Sequence, residues 1–142
     1  MAIGQSSMED MGIKLQSKAL VTGAAGFIGS NLCAELITRD WQVAALDLPS
    51  ANWWRHDALS IKVSRIEIDM TDSEAIANSF GDGFFDCVFH LAAMSDVTRN
   101  ASLLNTLINE NIVTTNNLLY SLQAKADRII VIGTCEEYGN GA

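Results

Sequence analysis

Short apolar runs alternate along this chain with stretches of helical period. Ala19-Leu20-Val21 sits within Lys18–Thr22 and is followed by glycines. From Phe27 to about Arg39 apolar residues then fall at positions 28, 32, 33, 36 and 37, the spacing of one helix face. Val43-Ala44-Ala45-Leu46, within 41–48, is a second buried run that ends at Asp47 and is stopped by Pro49. The stretch 49–60 has no clear period and reads as a loop with one helical turn. Ile61, Val63, Ile66 and Ile68 mark a third strand over 61–68, ending at Asp69. Thr71 or Asp72 can cap a short helix that runs to Phe80, with Glu74 in its first turn, before Gly81-Asp82-Gly83 breaks it. Asp86–Leu91 is a fourth strand. A helix over roughly 101–123 carries Leu104, Leu107, Ile108, Ile112, Leu119 and Leu122 near one face, and Arg128–Ile132 is a fifth strand.

Strands that alternate with helices, and that read as continuous apolar runs, predict a parallel sheet covered on both faces. Right-handed crossovers leave few topologies. The expectation is an α/β fold, a Rossmann doubly wound parallel sheet of order 3-2-1-4-5, truncated after strand five.

Composition narrows the class. The 142 residues are 49% hydrophobic and 18% charged with one proline, which suits one packed domain. Residues 1–17 read as an N-terminal tail and 18–142 as the domain. With a net charge of −8 and no basic patch to hold a polyanion, nucleic acid is not expected as a partner. Cys33, Cys87 and Cys135 are an odd count without metal-like spacing and read as reduced thiols, which points to the cytoplasm. No run of 18 apolar residues is present and residues 1–17 lack a signal-peptide pattern, so no membrane is expected.

The chemistry starts at Thr22-Gly23-Ala24-Ala25-Gly26-Phe27-Ile28-Gly29, a strand, a glycine turn and a helix start. The first glycine turns the chain, the second lets backbone approach a phosphate, and the third lets the helix pack closely. The free N–H groups of the helix N-terminus favour an anion. Asp47, at the end of strand two, is placed to accept both hydroxyls of a ribose, or else to cap a strand end. Its charge repels a 2′-phosphate and the nearest cation is Arg55, so NAD is expected rather than NADP.

With these residues in view, the chain resembles the first half of an extended short-chain dehydrogenase/reductase, of the NAD-dependent epimerase/dehydratase family that acts on nucleotide sugars. The glycine turn matches that family's T-G-x-x-G-x-x-G. Asp69-Met70-Thr71-Asp72 resembles the D-x-x-D after strand three, whose first acid contacts adenine in the family. His90-Leu91-Ala92-Ala93 resembles the H-x-A-A after strand four, which lines the cofactor. Asn111 and Thr115 match N-x-x-G-T, with Thr114 in place of the glycine. The resemblance implies cofactor contacts at Gly23, Gly26, Phe27, Ile28, Gly29, Asp47, Asp69, Met70, Leu91, Ala92, Ala93 and Asn111. Thr134-Cys135-Glu136-Glu137-Tyr138-Gly139 resembles the S/T-x-x-x-Y-G block, which makes Thr134 and Glu136 the catalytic candidates. Cys135 stands where dehydratases have Asp, which puts epimerase or reductase ahead of dehydratase.

Several residues keep a structural alternative. His90 reads as a satisfied core histidine before it reads as a catalyst. Asn111 ties strand ends together near the ligand or serves the core alone. Asp69 could instead cap the next helix, and Trp53-Trp54 could flank adenine, plug the core or meet a partner. The family's Tyr-x-x-x-Lys is missing: Ala124 and Ala142 stand four residues after Tyr120 and Tyr138. The expected function is therefore the NAD-binding half of a nucleotide-sugar epimerase or reductase, not competent alone. A non-enzymatic NAD-binding sensor is the alternative, and a methyltransferase fits the later blocks poorly. The helix over 101–123 resembles one of two through which family members dimerise; a homodimer of this chain is doubtful without the second.

Overall fold

The computed structural model describes residues 16–95 and 100–133. Five strands make one sheet: β1 (Lys18–Thr22), β2 (Gln42–Asp47), β3 (Ser64–Glu67), β4 (Cys87–His90) and β5 (Ile129–Val131). Their order is β3-β2-β1-β4-β5 and every pairing is parallel. In register, Leu20 lies between Ala44 and Val88, and Thr22 between Leu46 and His90. The chain reverses direction across the sheet between β1 and β4. The ends of those two strands therefore part to leave a crevice.

The helices are α1 (Phe27–Thr38), α2 (Trp54–Ala58), α3 (Ser73–Ser79) and a composite α4 over 101–121. They cover both faces of the sheet. Leu20, Ala44, Leu46 and Val88 pack under α3 and α4 with Ile76, Phe80, Phe85, Leu118 and Leu122. Ala19, Val21, Val43 and Ala45 pack under α1 and α2 with Cys33, Leu36 and Trp53. Alternate residues of one strand thus serve two cores, so its sequence is apolar throughout.

Helix ends follow local chemistry. Asp72 caps α3, its Oδ1 accepting from the N–H groups of Glu74 and Ala75 at 3.0 Å each. Helix α1 begins at Gly26 with no side-chain cap. Its first N–H groups remain available to a ligand.

The structure corrects three details and decides among the alternatives for the tryptophan pair. Strand β3 begins at Ser64, not at Ile61. In α1 the buried face is Gly29, Ser30, Cys33 and Leu36, and Ile28 lies outside it at 64% exposure. In α4 the apolar stripe meets the core only at its end: Leu104, Ile108, Ile112 and Leu119 are exposed, whereas Leu122 is buried with Thr114, Leu118 and Ser121. A π turn over Ile108–Val113 lies between helical segments Leu104–Leu107 and Thr114–Ser121. Trp53 is core and meets His56 edge-to-face at 4.9 Å between centroids, whereas Trp54 is exposed.

Candidate functional site

The glycine turn owes its shape to two close approaches. Gly23 has φ +66°, and a Cβ there would stand 2.9 Å from the Ala92 backbone nitrogen. A Cβ on Gly29 would stand 2.2 Å from the Gly23 carbonyl oxygen, closer than any atoms can pack. The third glycine therefore packs the helix onto the turn itself.

Asp47 holds that turn. Its Oδ2 accepts from the Ala25 N–H at 2.8 Å and its Oδ1 from the Leu48 N–H at 2.9 Å. Each oxygen retains a second lone pair for a ligand hydroxyl. From the other side, the His56 Nε2 bonds the Ala24 carbonyl at 2.8 Å from a fully buried ring. Helix α2, the one helical turn expected within 49–60, thus buttresses the glycine turn, a role the sequence did not show. A lone histidine in an aperiodic stretch gave no signal of it.

The wall opposite is set by a chain of hydrogen bonds. The Ala92 N–H donates to Thr22 Oγ1 at 3.2 Å, and Thr22 Oγ1 lies 2.7 Å from His90 Nδ1. His90 Nε2 lies 2.8 Å from Thr115 Oγ1, which donates to the Asn111 carbonyl at 2.6 Å. That last donation uses the Thr115 proton, so Nε2–H donates to Thr115 and Nδ1 accepts from the Thr22 hydroxyl. This is the neutral imidazole, and burial lowers the His90 pKa accordingly. The Asn111 side chain then clamps Met94 twice, accepting from its N–H at 2.7 Å and donating to its carbonyl at 2.9 Å. His90 is a satisfied core histidine, and Asn111 ties the end of β4 to α4.

Asp69 accepts at Oδ1 from the Thr71 N–H at 2.9 Å and the Thr71 hydroxyl at 2.7 Å. The cap of α3 is Asp72. Asn117 of α4 donates to the Met70 and Thr71 carbonyls at 3.0 and 3.2 Å, which fixes α4 against this turn.

These elements surround a cleft of about 690 Å³ along the carboxyl ends of the strands. Of the residues expected from sequence, Gly23, Gly26, Asp47, Asp69, Met70, Leu91, Ala92 and Ala93 line it. Phe27 and Ile28 lie on the first turn of α1, exposed and outside the lining, Gly29 lies under the turn, and Asn111 stands behind Met94. Thr134 and Glu136 lie outside the described residues. The cleft also takes in Arg55 from α2 and Thr106, Glu110 and Thr114 from α4, of which Thr106 and Glu110 had no place in the sequence reading. Among the described residues no cluster of side chains could hold a metal ion, and no helix is long and apolar enough to cross a membrane.

An open parallel sheet of order 3-2-1-4-5, with a glycine turn, an uncapped helix and a strand-end acid at one cleft, defines a Rossmann-type nucleotide-binding fold. The chain belongs to the NAD dependent epimerase/dehydratase family, whose model matches residues 19–142. It is 31% identical over 132 residues to a UDP-N-acetyl-alpha-D-glucosaminuronate decarboxylase of Bacillus cytotoxicus, covering 89% of this chain and 39% of that protein. It is also 31% identical over 135 residues to a probable UDP-arabinose 4-epimerase of Arabidopsis thaliana, covering 84% of this chain and 31% of the relative. Among solved structures, a UDP-glucose-4-epimerase from Stenotrophomonas maltophila with bound NAD and formylated UDP-arabinopyranose superposes with a TM-score of 0.78. It shares 25% identity over 89% of this chain and 39% of that one. The chain thus spans about two-fifths or less of the length of these relatives.

Proposed function

We propose that this chain is the NAD-binding part of an enzyme that epimerises or reduces a nucleotide sugar by hydride transfer at a sugar carbon. The observation that carries the reading is the meeting, at one cleft, of the uncapped α1 N-terminus and the Asp47 carboxylate. The pyrophosphate is received by backbone N–H groups at Phe27, Ile28 and Gly29, beside Gly26, whose own N–H is held by the Gly23 carbonyl at 3.1 Å, and the adenosine ribose by the spare lone pairs of Asp47. Leu91, Ala92 and Ala93 supply a wall of small or apolar residues against which a flat ring rests. Asp69 and Met70 hold the base.

NAD supplies, when bound, the hydride acceptor of the reaction. Thr134 is proposed to orient the sugar hydroxyl and Glu136 to take or give a proton near it, both by resemblance to the family. The Tyr-x-x-x-Lys that would move the hydroxyl proton is not among these 142 residues. Cofactor binding, rather than turnover, is the activity assigned to the chain itself. The decarboxylase and epimerases among the relatives act on UDP-sugars by their names, which supports a UDP-sugar as the substrate class. Calorimetric titration of the chain with NAD, NADP and S-adenosylmethionine tests the reading. Saturable binding of NAD, tighter than of NADP, is expected; binding of S-adenosylmethionine alone would overturn it.

A further inference from the structure

One peptide unit of the glycine turn is held at both of its ends. The Ala24 carbonyl accepts from His56 Nε2 at 2.8 Å. Across the same peptide bond, the Ala25 N–H donates to Asp47 Oδ2 at 2.8 Å. A carbonyl offers no proton, so Nε2 carries one and His56 is the donor. The peptide unit is planar and stiff, so its two ends turn together. The Ala24 N–H is bonded to the Leu46 carbonyl at 3.2 Å, which leaves this part of the turn clasped between β2 and α2.

His56 is fully buried, and its Nδ1 has no partner among the described residues, so the bond to Ala24 is what orients the ring. Trp53 meets that ring edge-to-face at 4.9 Å between centroids and packs in the same core as Ala24 and Ala25. The Asp57–Arg65 ion pair, at 2.6 Å, ties α2 to β3, the strand beside β2. An apolar side chain would fill this space without burying an unpaired ring nitrogen, so packing alone does not account for a histidine here.

We infer that His56 is a positioning residue for ribose recognition. It sets the Ala24–Ala25 peptide, the peptide aims the Asp47 carboxylate, and the carboxylate selects a ribose that carries its 2′-hydroxyl. Hydrogen bonds in such a chain strengthen one another, because a donor at the carbonyl polarises the N–H of the same peptide. Without that donor the peptide turns about its flanking bonds, and Asp47 loses the N–H that aligns it. His56 is not part of the cleft lining, so its effect reaches a ligand through the turn and Asp47. The inference rests on the dinucleotide reading of the cleft.

The test measures by calorimetry the binding of NAD and of the dinucleotide that lacks the adenosine 2′-hydroxyl. It uses the wild-type chain, His56→Gln, His56→Asn and His56→Phe, with melting curves to show that each is folded. Glutamine extends an amide N–H about as far as Nε2. Asparagine buries the same amide one methylene short of the Ala24 carbonyl, and phenylalanine keeps a ring without the donor. The wild type is expected to prefer NAD by about fivefold or more. His56→Gln should keep that preference. His56→Asn and His56→Phe should lose most of it through weaker NAD binding, with the 2′-deoxy analogue bound as before; the asparagine variant guards against a phenylalanine variant that does not fold. A purely structural role would weaken both ligands alike and leave their ratio. An unchanged ratio in the folded asparagine or phenylalanine variant, or an equal loss in His56→Gln, overturns the role of His56 and leaves the dinucleotide site standing. Equal affinity of the wild type for the two dinucleotides overturns the ribose role of Asp47 as well, and failure to bind either overturns the reading of the cleft.

Discussion

At the residue scale, a few side chains carry two duties at once. Asp47 shapes the glycine turn through the Ala25 N–H and is proposed to hold the ribose with what capacity remains. Asp47→Ala is expected to weaken NAD binding by about 1–3 kcal/mol, the cost of leaving hydrogen-bond groups unpaired. His90 is neutral, with burial holding its pKa below the ordinary value. The unfolded chain therefore binds more protons than the folded one just below the ordinary histidine value of 6.5. The contribution of His90 to stability is complete above that pH and declines as pH falls toward the lowered folded value. The thermal midpoint should drop between pH 7.5 and 5.5, and His90→Gln should flatten that dependence. An equally steep profile in the variant would contradict the assignment. Cys33 is fully buried and its thiol is pushed up to about 12. It should resist alkylation at pH 8 until the chain unfolds, as mass spectrometry after a brief iodoacetamide pulse would show.

At the scale of elements, legibility followed how local the cause was. The Lys18–Thr22 strand, the Asp72 cap and the glycine turn were readable because each depends on neighbouring residues. The π turn was not. It is stabilised by Thr114 and Thr115 hydroxyls that satisfy the carbonyls of Glu110 and Asn111, and by a histidine on a strand 25 residues away in sequence. The face of α4 that carries Ile108 and Ile112 has a regular period, but nothing local in the sequence says that it faces outward. Glu110 and Thr106 belong to no motif, and only the fold brings them to the cleft. Thr115→Val keeps the shape of the side chain but removes the link between His90 and the Asn111 carbonyl. It should destabilise the fold by about 1–3 kcal/mol, the penalty for unpaired buried groups, measured by chemical denaturation. No loss of stability would mean that the π turn is held by something else.

At the scale of the whole molecule, the sheet order was legible because strand count, alternation with helices and handedness leave few solutions. The surface was not. Leu104, Ile108, Ile112, Leu119 and Tyr120 on α4, with Val131 and Ile132 at the end of β5, are exposed. Apolar groups gathered on one helix face and at a sheet edge favour association. The 142-residue chain should sediment with a concentration-dependent average mass, and an Ile108→Lys, Ile112→Lys double variant should reduce that dependence without lowering the thermal midpoint. A wild-type monomer at all concentrations would contradict this.

The account as a whole stands on the cleft being a dinucleotide site built around Asp47 and the glycine turn. Paired calorimetric titrations of the wild type and Asp47→Ala with NAD test it most directly, with melting curves to show that both are folded. A single saturable site in the wild type, weakened by about 5- to 150-fold in the variant, is the predicted result. Equal NAD affinity in the two folded proteins, or no heat of binding in the wild type, would contradict it.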